Sequence, residues 1–399
     1  MDDILSQGGD RDPGRWPRRL LLLGAPVLVA VASIAYISLA HHAHSTAAVR
    51  PPSATVSAAP GSVSLIAPGP PSGSDGIDGP TLPWAGSLRL PVAGPQPTWF
   101  APATGRSEPI GGLPADSAGY QFTRVDGGWA VQASPGGMTA CDVCDRPSLP
   151  VWFLADGSRS VTRVGAANLV NPAAAAGAVW LTSEPAVAAT VPMTAQEVSL
   201  AGVPRGAPVR LPRGYLIYQA TDRGLLLAPV SGQPGTTADE LWDPANSRTV
   251  RMFDDVVAAS PAEIAWTPPC AQTCRVRVLD LVTGRQAVVE LPARSFAAGA
   301  AFSPSGDYLA LQVMSDEGGG PSTRLEVASV ASGRLTALPG TSVGGDTVVD
   351  FGWPTSGDSL VAEFVFPAKV QLASWHPGAT GLAVAVIRSG QDQASVVVG

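Results

Sequence analysis

Val276–Val313 reads VRVLDLVTGRQAVVELPARSFAAGAAFSPSGDYLALQV, and its punctuation decides the fold. VRVLDL and QAVVEL are β-rich, partly alternating runs separated by Thr283-Gly-Arg285, the pattern of a hairpin. After a loop come GAAF, the turn Ser303-Pro-Ser-Gly-Asp307 and YLALQV. Strand, turn, strand, loop, strand, turn, strand is one circuit of a four-strand repeating unit.

Working outward, the hairpin recurs. Copies stand at Phe100-Ala-Pro-Ala-Thr-Gly-Arg106, Phe153-Leu-Ala-Asp-Gly-Ser-Arg159, Val198-Ser-Leu-Ala-Gly-Val-Pro-Arg205 and Leu241-Trp-Asp-Pro-Ala-Asn-Ser-Arg248. Leu279–Arg285, Val327–Arg334 and a degenerate Leu372–Gly381 complete the series. The steps average about 46 residues, the period of propeller blades and similar arrays. Each turn carries Gly, Asn or Asp, where the chain needs φ above zero or a side-chain-capped turn. A second element alternates with the hairpin: Ala301–Leu311 and Phe351–Val361, with weaker copies at Tyr120–Val131, Val179–Leu181, Gly214–Leu227 and Glu263–Trp266. Four strands per unit and about seven units predict an all-β, seven-bladed β-propeller, with six or eight blades as alternatives.

FSPSGDYLAL and GWPTSGDSLV resemble the repeat of the TolB-type, WD40-like propellers, whose inner strands carry an aromatic-Ser-Pro-Asp/Ser-Gly turn. The resemblance is clear over Ala301–Leu311 and Phe351–Val361, traceable over Glu263–Thr380 and faint before that. It implies a fold and says little about activity, because propellers host unrelated functions. Asp307 and Asp358 fall where turn-capping residues are expected. The first unit has only Ser87–Val92 before its hairpin, while the chain ends in the unpartnered β-branched run Ala394-Ser-Val-Val-Val-Gly399. The tail is therefore expected to pair within the first blade and close the ring.

Cys141 and Cys144 (ACDVC) and Cys270 and Cys274 (PCAQTC) each precede the hairpin of their own repeat, between second and third strands. Two local disulfides in an oxidising compartment is the economical reading. Zinc between pairs about 126 residues apart departs from ribbon and knuckle spacing. A redox role for Cys141/Cys144 wants a helix N-terminus. No catalytic, cofactor-binding or metal-ligating residue is nominated. There is no G-x-S-x-G, HExxH, EF-hand, P-loop or GxGxxG, and His376 is the only histidine after residue 44. Asp156, Asp243 and Asp280 share a hairpin position, as a structural role requires, and Asp254-Asp255 reads as a solvated loop. The tryptophans fall mostly on strand positions and are expected between blades.

The other end of the chain is different in kind. Residues 1–19 are polar and expected to be a disordered cytoplasmic stub. Leu20–Ala40 runs without a charge for long enough to span a bilayer as a helix. Arg15, Arg18 and Arg19 precede it and the next basic residue is Arg50, which places the N-terminus inside and the rest outside. The rival reading is a signal peptide cleaved after Ser38-Leu39-Ala40. His41, His42 and His44 begin a linker, residues 41–80, rich in Pro, Ser, Ala and Gly, that leads to the propeller at 81–399. Charge is sparse at 14% and the net charge of -7 offers no basic footprint for nucleic acid.

The sequence thus describes a single-pass protein of the cell membrane with an extracytoplasmic propeller. Its expected role is binding or scaffolding for a protein, peptide or glycan at the envelope, without a cofactor. The alternative is an enzyme, a metal-assisted hydrolase or lyase at the central channel. A sensor is a third reading, against which stands the short cytoplasmic stub.

Overall fold

The computed structural model describes residues 64–66, 77 and 81–398, apart from 95, 116, 118, 135–147, 184–191, 231–237, 271–272, 317–320, 345–347, 355–356, 367–368 and 389–394. The stub at 1–19, the span at 20–40, Arg15, Arg18, Arg19, the three early histidines, Cys141 and Cys144 lie outside the described residues.

The described residues form seven antiparallel sheets, each with its strands in spatial order, and contain no helix. Blade 1 takes Leu90–Ala93, Thr98–Ala101 and Arg106–Pro109, with Ser395–Val396 as its first strand. Blade 2 is Gly119–Val125, Gly128–Ser134, Leu149–Ala155 and Thr162–Ala167; blade 3 is Leu169–Pro172, Ala178–Ser183, Thr194–Ser199 and Val209–Arg210. Blade 4 is Tyr215–Thr221, Gly224–Pro229, Asp239–Asp243 and Arg248–Phe253; blade 5 is Val256–Ala259, Glu263–Trp266, Arg275–Asp280 and Gln286–Glu290. Blade 6 holds Ser295–Phe302, Tyr308–Asp316, Pro321–Ser329 and Leu335–Ala337, with Val343–Gly344 also paired to its third strand. Blade 7 holds Val348–Gly352, Leu360–Val365, Val370–Trp375 and Ala383–Arg388, and Ser64–Ile66 adds a fifth strand at its outer edge.

All seven hairpins of the sequence repeat are third-to-fourth-strand turns, one per blade. The stretch Val276–Val313 straddles two blades, supplying the second half of blade 5 and the first half of blade 6. The hairpin glycines Gly105, Gly157, Gly284 and Gly333 have φ between 66 and 73°, a region closed to most side chains. Blade 4 puts Ser247 there at φ 48°, beside Asn246, whose backbone and side chain both donate to Asp243.

Alternation along each strand sends neighbouring side chains to opposite faces, so each blade buries one set of residues on each neighbour. Seven apolar clusters result, one per seam. Trp99, Phe122, Trp129, Val131 and Leu154 fill the seam between blades 1 and 2. Ala130 and Val151, on the other face of blade 2, meet Val179 and Leu181 of blade 3. Trp180 then turns to Leu225, Leu227 and Trp242 of blade 4, while Leu226 faces Ile264 and Trp266 of blade 5. Val276 and Val278 pack on Leu309, Leu311 and Val313 of blade 6; Ala310 faces Phe364 and Trp375 of blade 7. The seventh cluster joins Val361, Leu372 and Ile387 of blade 7 to Leu90, Phe100, Val396 and Val398 of blade 1. The ring is closed.

The C-terminal tail makes that closure. Val92 pairs with Val396 and Ala93 with Ser395, and Val397 donates its N–H to the Pro91 carbonyl at 2.9 Å. The Val396 N–H is taken by Glu363 Oε1 of blade 7 at 3.0 Å, so one residue ties the first strand of blade 1 to the last blade. The chain before the ring is also attached to blade 7. Leu82 donates to the Leu382 carbonyl at 2.7 Å, and buried Ile77 donates its N–H to Gln371 Oε1 at 2.9 Å. Ile77 and Ser64–Ile66 fall within the stretch 41–80 read as linker, so the described part of that stretch is joined to the propeller.

Removing residues 395–399 should therefore expose the edge of Leu90–Ala93 and empty the places of Val396 and Val398, which are 2% and 0% exposed. The transfer term for two buried valines alone is roughly 3 kcal/mol. The truncated chain is expected to melt several degrees lower than the full chain and to be cut faster by protease in blades 1 and 7.

Candidate functional site

An antiparallel meander alternates its connections between two ends of the strands. At one end lie the first-to-second and third-to-fourth turns, at the other the second-to-third loops and the crossings between blades. Most turns of the first end are shorter, though 200–208 in blade 3 has nine residues, and several are tied to the next blade. Gly177 of blade 3 donates its N–H to Asp126 of blade 2 at 3.1 Å, and Arg223 of blade 4 donates through Nε to the Leu281 carbonyl of blade 5 at 3.1 Å. Ser305 of blade 6 donates its N–H and its hydroxyl to Asp358 of blade 7 at 3.3 and 2.8 Å. Asp358 thus caps the neighbouring blade's turn. At Asp307 the backbone does the work: its N–H donates to Ser305 Oγ and its carbonyl accepts from Val330.

The hairpin acids have the structural roles that their register implied. Asp156 accepts a two-pronged bond from Arg124 at 2.6 and 2.8 Å. Asp243 accepts from Asn246 and Ala245, and Asp280 from Thr283 and Val282. These donors hold the Asp243 and Asp280 carboxyls below the ordinary carboxylate range.

The other end is uneven. Its second-to-third loops span 135–148, 184–193, 230–238 and 267–274 in blades 2 to 5, fourteen to eight residues each, but only four residues at 317–320, 366–369 and 94–97 in blades 6, 7 and 1. Long loops are confined to one contiguous arc of the ring. Their described feet join the seams: Met193 and Val230 pack in the cluster of blades 3 and 4, and Cys274 in that of blades 5 and 6.

The described part of this arc is best developed where blades 4 and 5 meet. Asp239, first residue of a third strand, accepts the Val256 N–H at 2.8 Å. Asp255 accepts from the Thr267 hydroxyl at 2.9 Å, fixing the foot of the 267–274 loop. Burial lifts the Asp239 carboxyl to about 6, with the Val256 hydrogen bond pulling it down and nearby Asp255 pushing it up. Burial, then the charges of Asp239 and Asp255, push the Tyr218 hydroxyl upward. Tyr215 donates to Glu240 at 2.6 Å, and burial and that bond raise its hydroxyl too. On the seam face, the Arg251 guanidinium lies 5.1 Å from the Phe253 ring centre and 5.3 Å from that of Trp266. The corner is acidic and aromatic, on a rigid footing. Cys270 and Cys274 are joined within the 267–274 loop, with Cα atoms 5.2 Å apart, in the place expected between second and third strands.

Among the described residues, no group of three His, Cys, Asp or Glu side chains could hold a metal ion. His376 lies in the turn after Trp375, its Nδ1 3.2 Å from the carbonyl of Pro377. A small apolar crevice between blades 6 and 7, lined by Leu325, Leu360, Trp375 and Leu382 among others, is part of the seam packing. Sequence reading missed the carboxyls that burial perturbs, Asp239, Glu263 and Asp350. Burial raises Asp350, on the first strand of blade 7, to about 6 despite a bond from the Phe351 N–H. For Glu263 a signal existed. In Glu263-Ile-Ala-Trp266, period-2 alternation puts Ile264 and Trp266 on one seam, so Glu263 and Ala265 belong to the other.

Against known proteins, no family model matches this sequence and no curated protein does. Among solved structures, a putative TolB from Agrobacterium tumefaciens shares 10% identity over 74% of this chain and 88% of its own, at a TM-score of 0.36. TolB from Acinetobacter baumannii shares 12% over 64% and 65%, at 0.38. The chain is similar to TolB-type propellers. The β-propeller domain of the Trilobed protease from Pyrococcus furiosus, described as having an open velcro topology, shares 8% over 68% and 84%, at 0.43. At this level of likeness, none of these proteins' activities passes to this chain.

Two outcomes follow. Mass mapping without reduction should link 270 to 274; free thiols there would contradict the structure. For Asp239, the folded-state carboxyl lies above its unfolded value of 3.8, so the folded state binds more protons between pH ~4 and ~6 and loses stability as pH rises through that window. Asp239→Asn keeps an acceptor for Val256 and removes the ionisation. Its thermal midpoint should gain on the parent by about 1–2 kcal/mol equivalent at pH 8 and by little at pH 4.

Proposed function

We propose that the protein is a membrane-anchored, extracytoplasmic binding propeller that docks a protein partner through the loop-bearing end of blades 2 to 5. The observation that carries this reading is the uneven loop distribution. The turn end is stitched blade to blade by Asp126, Arg223 and Asp358. The opposite end carries loops of eight to fourteen residues on four adjacent blades. Rigid scaffolds commonly place recognition on such loops. At the blade 4–5 corner Tyr215, Tyr218 and Asp239 are held in packed or buried positions and fix the base of these loops, so recognition falls to the loops above them. The anchor belongs to the same reading: Leu20–Ala40 is apolar enough to span, and Arg15, Arg18 and Arg19 favour a cytoplasmic N-terminus.

The test is cross-linking in intact cells with the full-length chain and with variants in which 184–191 or 231–237 is replaced by a four-residue turn, which leaves Met193 and Val230 in the seam. The intact chain should capture one dominant envelope partner, and the shortened variants should lose most of that capture while keeping the parental melting curve. Capture that survives both replacements but disappears when Arg124→Ala and Asp358→Ala alter the opposite end would assign the wrong surface. Capture of glycan alone would overturn the protein partner.

A further inference from the structure

Glu263 stands at the seam of blades 5 and 6, at the turn end, and is 8% exposed. Its N–H donates to Ser260 Oγ, but Oε2 of its carboxyl is buried without a hydrogen-bond partner. The surface opposite is the turn Ser303-Pro-Ser-Gly-Asp307 of blade 6. Gly306, at φ +78°, backs onto the carboxyl so closely that a Cβ there would lie 2.9 Å from Oε2. Both charged groups that bear on Glu263 are acidic: Asp280 on the adjacent third strand of its own blade, and Asp307 in the facing turn. Asp280 is held ionised by Thr283 and Val282 and has Arg285 beside it. Among the described residues, no cation is paired with Glu263.

That turn reaches further. Its Ser305 donates twice to Asp358 of blade 7, and Asp307 accepts the Val330 N–H at the hairpin of its own blade. A carboxyl in blade 5 therefore presses on a turn of blade 6 that is fastened to blade 7.

We propose that Glu263 is a pH-sensitive latch: protonated, it lets the 303–307 turn seat against blade 5, and ionised, it drives the turn away and loosens the Ser305–Asp358 tie. A neutral carboxyl packs against Gly306 without charge. A carboxylate there would be desolvated, unpaired at Oε2 and repelled by Asp280 and Asp307. Burial first, then Asp280 and Asp307, raise the group from 4.5 to about 7, so the transition falls near neutrality. The sign follows. When the turn is open the carboxyl returns toward its ordinary acidity, so the closed form binds the extra proton and opening grows with pH up to about 7, then levels off.

The experiment is amide hydrogen exchange on the full-length chain, with each amide corrected for its intrinsic pH dependence. Protection at Ser305 and Gly306 should fall by about tenfold between pH 6 and 8 and change little from pH 8 to 9, as the two acidities require. In Glu263→Gln the fall should vanish, with protection at pH 8 above the parent's at pH 6, because the parent at pH 6 has already left its fully protonated limit. The same tenfold fall in Glu263→Gln, or no fall in the parent, would overturn the latch. Should Glu263→Gln fail to fold, isotope-edited infrared spectroscopy of the parent decides. A protonated glutamic acid band that titrates away between pH 6 and 8 supports the latch, and its absence at pH 6 refutes it.

Discussion

A blade of this ring is a small twisted sheet that is apolar on both faces, and it is stable only when both faces are covered. That one constraint organises the molecule. Leu226 must face blade 5 while Leu225 and Leu227 face blade 3. Val361 must face blade 1 while Leu360, Ala362 and Phe364 face blade 6. Each seam therefore depends on its two neighbours, and a row of such sheets has no end state other than a ring. Closure then falls to the one blade that lacks a strand of its own, and the tail provides it.

From this follows a division of labour between the ends. Seams fill with strand residues, so turns at one end need only hold register, and their Asp, Gly and Ser side chains bond locally or to the next blade. The feet of the long loops at the other end join that packing through Met193, Val230 and Cys274, and their length beyond the feet exceeds what connecting the strands needs, so an arc of them suits recognition. The same constraint makes Glu263 conspicuous. Unlike buried Glu326, which pairs with Arg324, it puts an ionisable group in a mainly apolar seam with no cation paired to it, and such an exception to core logic tends to mark function.

Much of the fold was legible because the repeat is written in residues with backbone consequences. Gly105, Gly157, Gly284 and Gly333 occur where φ is positive, and the spacing between these turns counts the blades. The tail's role was legible too, from an unpartnered Ser-Val-Val-Val and a first blade one strand short. Cys270 and Cys274 fell where repeat register put them. What was hidden is tertiary. Nothing local in Asp239 or Asp350 announces burial, since a loop acid and a strand acid read alike until the neighbouring blade is placed. The expectation that Asp307 and Asp358 cap their own turns missed that Asp358 bonds across a seam, because adjacency of blades is not a property of either repeat alone. The attachment of Ile77 to blade 7 was masked by a surrounding Pro/Gly-rich composition that reads as linker.

The closed ring is the central claim, and the pairing of Val92 with Val396 tests it most directly. Val92→Cys combined with Val396→Cys places two thiols on directly opposed residues of the closing strands. In the full-length chain, mild oxidation should link 92 to 396 nearly completely and raise the thermal midpoint. A chain that stays folded while leaving these thiols free, or linking either to another cysteine, would contradict closure by the tail.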